Sequence, residues 1–257
     1  MRRRPIAPRG DYGIDAPYVS VSFAGAAIFC AGVAVLCFEL SLPLLAGVAL
    51  LIAIIFALST LSYLWTRKRG KGRNPKFRLR QFLVWAELLD ALPLRGDESL
   101  LDVGCGRGAV LMLSAKRIPR GRVVGLDLWS TTDQSGNCAE ATLRNAEREG
   151  VRDRIELCTG DMRKLPFPDQ SFDVVTSSLA IHNIRDQAGR EQALAEIIRV
   201  LKPGGSALVA DFRHTADYQQ YLAAQPDVVA ERRRLDWRFW YGGPQASTSL
   251  VTVRRLP

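Results

Sequence analysis

The sequence predicts an α/β fold: a doubly wound sheet of seven strands with a C-terminal antiparallel hairpin, preceded by a two-helix transmembrane hairpin. Three observations predict it. Short apolar runs alternate with helix-length stretches from Ser99 to Asp211, the pattern of a parallel sheet with crossover helices. Two apolar runs of membrane-spanning length lie between residues 18 and 65. A glycine-rich turn closes the first strand of the alternating region.

The apolar runs come first along the chain. Tyr18 to Phe38 holds no charge, and a helix of that length crosses a hydrocarbon core of roughly 30 Å. Glu39, Ser41 and Pro43 interrupt it, and Pro43 suits the first turn of the helix that runs on to Trp65. Tyr63 and Trp65 fall at the exit, where amphipathic rings favour the interface. Arg2, Arg3, Arg4 and Arg9 precede the first run, Arg67-Lys68-Arg69 with Lys71 and Arg73 follow the second, and the connection holds no Lys or Arg. The positive-inside rule then puts both ends in the cytoplasm. A cleaved signal peptide fits poorly, because the apolar stretch is double and its first run exceeds an h-region. Surface-lying helices would need a polar face, which neither run has. The expected organisation is a cytoplasmic segment 1–17, the hairpin 18–66, a basic linker 67–76 and one domain over 77–257.

Charge follows this division. Of the net +9, residues 1–74 hold +6 and the remainder only +3, so the basicity is mainly juxtamembrane and argues against nucleic acid as a partner. The five cysteines form no CxxC, and with only His182 and His214 no zinc spacing exists, so no metal is expected. A disulfide framework is equally unsupported, which fits a reducing compartment.

Within the domain, Phe77 to Leu92 reads as an amphipathic helix with Phe82, Trp85, Leu88, Leu89 and Leu92 on one face. Strands are expected at Ser99–Val103, Arg122–Leu126, Ile155–Thr159, Phe172–Ser177 and Ser206–Asp211. Helices are expected at Ala109–Arg117, Ala139–Glu149 and Arg190–Leu201. Trp237–Tyr241, a Gly242-Gly243-Pro244 turn and Ser249–Arg254 read as the closing hairpin.

The first strand runs into Asp102-Val103-Gly104-Cys105-Gly106-Arg107-Gly108. Its glycines let backbone approach a ligand without a Cβ in the way. The spacing is G-x-G-x-G rather than the dinucleotide G-x-G-x-x-G, and the preceding acid disfavours a pyrophosphate while suiting a cationic or amino-bearing ligand.

This stretch resembles motif I of the class I S-adenosylmethionine-dependent methyltransferases, and the resemblance runs in order through residues 99–212. Leu126-Asp127-Leu128 matches the segment whose acid bonds the ribose hydroxyls. Thr159-Gly160-Asp161-Met162, with Leu165-Pro166-Phe167-Pro168-Asp169, matches the adenine-contacting segment. Ser171-Phe172-Asp173 opens the fourth strand, and Leu201-Lys202-Pro203-Gly204-Gly205 is the turn before the fifth. The resemblance implies a Rossmann-like methyltransferase fold and S-adenosyl-L-methionine as cofactor. It implies cofactor contacts from Asp102, Gly104, Cys105, Gly106, Asp127, Leu128, Asp161, Met162 and Ser177. Asp173 and the Gly204-Gly205 pair read as structural.

Class I methyltransferases place the acceptor beyond the fourth strand, here Ser177 to Asn183. His182 is the candidate catalytic residue, as general base or orienting group, because imidazole titrates near neutrality; the other reading is a histidine packing at a helix start. The loop Trp129–Asn137 is longer than usual, and either shapes an acceptor pocket or is plain surface. Tyr12, in Asp11–Pro17, is either part of a lid over the cofactor or lies at the lipid headgroups. The expected reaction is methyl transfer to a small or lipid-like acceptor at the cytoplasmic membrane face, with quinone-biosynthesis methyltransferases sharing the Asp127 and Asp161 segments. A membrane-tethered binding module without catalysis and a nicotinamide-dependent oxidoreductase are the competing classes.

Overall fold

The computed structural model describes residues 8–12, 19–70, 76–240 and 247–257. Arg2 to Arg4, Gly13 to Tyr18, Lys71 to Pro75 and the Gly242-Gly243-Pro244 turn lie outside the described residues, as do the side chains of Tyr63, Trp65 and Arg67 to Arg69. The chain divides into two compact units, Ile14–Phe77 with Thr132–Ser135, and Met1–Gly13 with Arg78–Thr131 and Gly136–Pro257.

The first unit is a helical hairpin, α1 (Val19–Glu39) and α2 (Pro43–Gly70). At the end of α1, Ser41 takes a φ of 57°, its N–H donates to the Phe38 carbonyl and the Leu42 N–H to that of Cys37. That left-handed closure satisfies the last carbonyls, and Pro43 starts α2 at a position with no N–H to lose. Within α2 the Ser59 and Thr60 hydroxyls donate to the Ile55 and Phe56 carbonyls at 2.8 and 2.9 Å, so the run carries no bare hydroxyl there. Small residues Ala34, Ala49 and Ala53 are buried between the helices, letting the backbones approach. The large side chains face outward: Ile28, Phe29, Phe38 and Leu44 are 75, 72, 72 and 83% exposed. Val21–Glu39 and Pro43–Leu61 are long and apolar enough to cross a membrane.

The second unit is built on a seven-stranded sheet ordered β3-β2-β1-β4-β5-β7-β6. Five strands are parallel: β1 (Ser99–Val103), β2 (Arg122–Asp127), β3 (Ile155–Thr159), β4 (Phe172–Ser178) and β5 (Leu201–Asp211). The last two, β6 (Val228–Arg234) and β7 (Ser249–Arg255), are antiparallel, with β7 inserted between β5 and β6. The crossovers are α4 (Ala109–Ala115), α5 (Ala139–Glu149) and α6 (Gln187–Val200), while α3 (Lys76–Asp90) precedes the sheet and α7 (Thr215–Ala223) follows β5. Because β1 lies between β2 and β4, the order reverses there and opens a crevice at the carboxyl ends of β1 and β4.

Two apolar layers cover the sheet. Leu100, Val123, Val174 and Leu208 point into one with Trp85, Leu88 and Leu89 of α3, while Leu101, Val124, Val175 and Val209 point into the other with Leu194 and Ile197 of α6. Alternation along each strand thus feeds both faces, as burial on both sides of a parallel sheet requires.

Three expectations are corrected. Of the strand expected at Trp237–Tyr241, Trp237–Phe239 is a 3-10 turn, where the Asp236 carboxylate accepts the Arg238 N–H, Trp240 alone bridges antiparallel to Ser247, and Tyr241 lies outside the described residues; the strand that pairs along β7 lies earlier, at β6. Its charged run Glu231 to Arg234 disguised an edge strand, which pairs on one side only and leaves those side chains in water. Second, β5 begins at Leu201 rather than Ser206, because Leu201 already pairs with Phe172 before an irregularity lets Ser206 pair with Val174. Third, α7 was not expected; Tyr218 and Leu222 anchor it on the sheet.

Candidate functional site

The site is assembled at the crevice from the ends of β1, β2 and β4. Gly104 has a φ of 70°, and a Cβ there would collide with Ala180 and touch Met162, so the loop after β1 packs directly on the segments after β3 and β4. Gly106 turns its N–H to Asp127 Oδ2 at 2.7 Å. Gly108 opens α4 in the left-handed region. Cys105 is buried, and burial pushes its thiol well above the usual range, leaving it an inert packing group.

Asp127 joins three segments. Its Oδ2 takes Gly106 N–H, and its Oδ1 takes the Trp129 N–H at 2.6 Å and the Asn137 amide at 3.0 Å. The long loop after β2 therefore returns to the site through Asn137, and its Trp129 indole donates to Thr159 at the end of β3. Asn137 Oδ1 is buried without a hydrogen-bond partner, an acceptor beside a carboxylate. Ser177 Oγ, at the end of β4 beside Val103, is likewise buried and unpartnered. Leu128 stands 58% exposed between Asp127 and Trp129, an apolar face open to a ring.

Asp102 lies beneath the glycine loop, 2% exposed, with Thr176 Oγ1 donating to it at 2.8 Å. Burial pushes its carboxyl up to about 7; the Thr176 hydroxyl pulls it down and the Asp127 charge adds to the rise. Two carboxylates on neighbouring strand ends make this a place for a cation rather than a phosphate. Asp161 engages Arg163 through both oxygens, at 2.6 Å for the shortest contact, which holds its carboxyl below the usual range. Met162 reaches toward Gly104 in the same turn. Arg199 and Glu196 of α6 clamp the following stretch, Arg199 donating to the Leu165 and Phe167 carbonyls and to Asp169, and Glu196 accepting the Leu165 N–H.

Beyond β4 lies the segment in which an acceptor was expected. His182 sits in a 3-10 turn, its N–H donating to Asp211 Oδ2 at 3.1 Å. Its Nδ1 lies 2.8 Å from Asp211 Oδ1, ion-pair distance, although the ring does not meet the hydrogen-bond direction, and its face packs edge-on against Phe212 at 4.6 Å. Asp211, 1% exposed at the end of β5, also accepts the Phe212 N–H. The Trp85 indole of α3 donates to Ser178 Oγ at 2.9 Å and secures the end of β4. Asn183 is exposed, and His214 faces Asp217 in the first turn of α7. Asp173 accepts the Ser99 N–H and the Lys202 ammonium, a structural tie between strands.

The structure thus brings Asp102, Gly104, Gly106, Asp127, Met162 and Ser177 to one crevice, and it adds Asn137 and Asp211. Neither addition left a signal in sequence. Asn137 arrives only because the loop folds back, and Asp211 reads as the last residue of a strand. Tyr12 is no lid in this structure: its hydroxyl donates to Glu149 and its ring packs on Phe82.

Residues 101–209 match a family model described as a methyltransferase domain. The chain is 38% identical over 130 residues to the ubiquinone/menaquinone biosynthesis C-methyltransferase UbiE of Dinoroseobacter shibae, covering 50% of this chain and 48% of that one. It is 37% identical over 157 residues to the 2-phytyl-1,4-naphtoquinone methyltransferase of Thermosynechococcus vestitus, 58% of this chain and 64% of that one. The chain spans about half the length of the first of these curated relatives. Among solved structures, the [4+2]-cyclase SpnF superposes with a TM-score of 0.56 at 18% identity, over 68% of this chain and 81% of that one, a likeness of fold. Over residues 101–209 the chain thus matches a methyltransferase domain, and it is similar there to S-adenosylmethionine-dependent methyltransferases of class I.

Proposed function

We propose that the chain transfers a methyl group from S-adenosylmethionine to a small, lipid-soluble acceptor, with a quinone precursor as the acceptor class its relatives' names favour. The observation that carries the reading is the meeting of the Gly104–Gly108 loop, Asp127 with Asn137, and the unpartnered Ser177 at the switch point. Asp127 and the Asn137 carbonyl are acceptors for ribose hydroxyls, Leu128 and Met162 offer apolar contact to a base, and the acidic pair Asp102 and Asp127 favours a cationic group. S-adenosylmethionine held by the glycine loop, Asp127 and Asn137 would supply a methyl already activated on a sulfonium, with its neutral thioether as the leaving group when an electron pair of the acceptor bonds the methyl carbon. The chain's part is alignment and exclusion of water. His182 takes the acceptor's proton on the ring nitrogen remote from Asp211, while Asp211 accepts the His182 N–H and so fixes the turn that carries the ring. Asp211 is a positioning residue.

The proposed organisation is a membrane hairpin carrying the catalytic domain on the cytoplasmic side. Outward Ile28, Phe29, Phe38 and Leu44 would cost about 25 cal/mol per Å² in water, a cost that a bilayer removes. Matching basic flanks support the orientation.

Calorimetry on the detergent-solubilised chain tests the cofactor. Wild type binds S-adenosylmethionine, and Asp127→Ala weakens binding by about 10- to 100-fold through lost charge-assisted hydrogen bonds; an affinity untouched by the substitution would remove Asp127 from the site. No binding by wild type would leave a tethered module or an oxidoreductase as the better reading.

Asp102 makes binding pH-dependent. Its folded-state pKa is raised, so the stability it lends the fold is complete below the unfolded value, near 3.8, and is lost as pH rises through about 7. A cationic ligand favours the ionised form, so binding releases a proton and affinity rises from pH 6 to 8. Asp102→Asn should flatten that slope; a slope equal to wild type would show that another group sets it.

Turnover separates the acceptor side. His182→Ala should lower kcat by about 100-fold or more with cofactor affinity near wild type, and Asp211→Asn should lower kcat less, again without moving cofactor binding. Equal turnover in the His182 variant would make His182 a packing residue.

Membrane attachment is read from alkaline carbonate washing of cell membranes. The chain should stay in the pellet, whereas release to the supernatant would contradict a spanning hairpin.

A further inference from the structure

The four residues Arg9 to Tyr12 have no regular secondary structure, yet they spend their polar groups on one helix face. Thr142, Asn145 and Glu149 lie at intervals of three and four along α5, so they share that face, and all three are buried. Thr142 Oγ1 donates to the Gly106 carbonyl at 2.8 Å. Asn145 Nδ2 donates to both the Arg107 and the Asp11 carbonyls, each at 2.9 Å, and its Oδ1 accepts the Asp11 N–H at 2.8 Å. Glu149 Oε1 accepts the Arg9 and Gly10 N–H groups and the Tyr12 hydroxyl, and its Oε2 accepts the Lys116 ammonium at 2.6 Å. Burial opposes ionisation of Glu149, but Lys116 and the two amides outweigh it and hold the carboxyl below its usual range. A second tie joins the same pieces, since Asp11 Oδ2 lies 3.2 Å from Arg107 Nη2. Tyr12 completes the seat, 6% exposed and packed on Phe82 of α3.

We propose that residues 9–12 are a strap that holds the glycine loop in its cofactor-binding conformation, with Asn145 the positioning residue that couples them. The inference rests on the cofactor reading given above. Its physical content is a shared anchor. The Gly106 N–H is held by Asp127 while the Gly106 and Arg107 carbonyls are held by α5, so the planes on both sides of the Gly106 Cα are anchored and its φ and ψ have little room to turn. Asn145 fixes the Arg107 carbonyl with one amide hydrogen, and the strap fixes Asn145 with the other amide hydrogen and the carbonyl oxygen. Without the strap, Asn145 loses two of three bonds and can turn away from the loop. Pinning four residues costs backbone entropy, which these hydrogen bonds and the burial of Tyr12 offset. The same strap fastens the chain ahead of α1, while α3 fastens it behind α2.

Gly10 supplies a test that leaves α5 untouched. A Cβ there would lie 2.8 Å from the Tyr12 ring, so Gly10→Val displaces the strap, and deletion of residues 1–12 removes it outright. The full chain and both variants are compared by amide hydrogen exchange at residues 104–108 and by calorimetry with S-adenosylmethionine. Both variants should show faster exchange at the glycine loop and about 3- to 10-fold weaker binding, the loss of roughly one hydrogen bond's positioning, with β4 and α6 exchanging as in wild type. Asn145→Asp, which keeps the acceptor and loses both donors, should reproduce the loop exchange. Loop exchange unchanged in both strap variants would overturn the proposal, as would a uniform rise across the domain, which marks a stabilising role alone. If wild type binds no S-adenosylmethionine, the functional reading falls while loop exchange still decides the strap.

Discussion

A carboxylate at the end of a buried strand must find donors, and Asp127 finds them in the glycine loop, in its own following turn and in the far end of a ten-residue loop. The rest of the site depends on that convergence. The Gly106 N–H sets the peptide planes of the glycine loop, Trp129 sets the start of the long loop, and Asn137 brings its end home. Charge-assisted hydrogen bonds are stronger than neutral ones, so one ionised group can order three segments that have no hydrophobic reason to meet. A ligand with two hydroxyls would add to this cluster from its open side.

The two units sort their side chains in opposite ways. In the hairpin, apolar side chains turn outward and small ones inward, and the Ser59 and Thr60 hydroxyls bond within their own helix. In the sheet domain the order is reversed, with Leu89, Leu100 and Ile197 sealed and charges at the surface. A single chain can hold both patterns because short polar segments separate them, and these segments are where local ties matter. Arg9 to Tyr12 and α3 are such ties on the domain side.

How much of this was legible in the sequence follows from where each interaction lies. Parallel strands buried on both faces read as continuous apolar runs, so β1 to β4 were placed within a residue or two, and α5 was placed at its bounds. The motif residues were legible because a turn requiring Gly104 and Gly108 leaves few alternatives in residue type. Edge strand β6 was not, since four of its seven residues are charged and only pairing with β7 makes it a strand. Asn137, Asp211, Asn145 and Trp85 act through contacts 10 to 134 residues away in sequence, and each has an ordinary composition around it. Local pattern carries local structure; it does not carry a hydrogen bond across the fold.

The two sides of the crevice differ in how they are held. The side of the glycine loop is fixed by backbone geometry and by Asp127, a carboxylate with three partners. The side beyond β4 is tied through Asp211, which accepts the His182 and Phe212 N–H groups, and through the Trp85 indole on Ser178 Oγ. The two sets of ties share no residue, so a change at Phe212 or Trp85 leaves the Asp127 cluster intact. Trp85 ties the end of β4 to α3, so the crevice also rests on a helix that lies outside the alternating strand and helix pattern of the sheet.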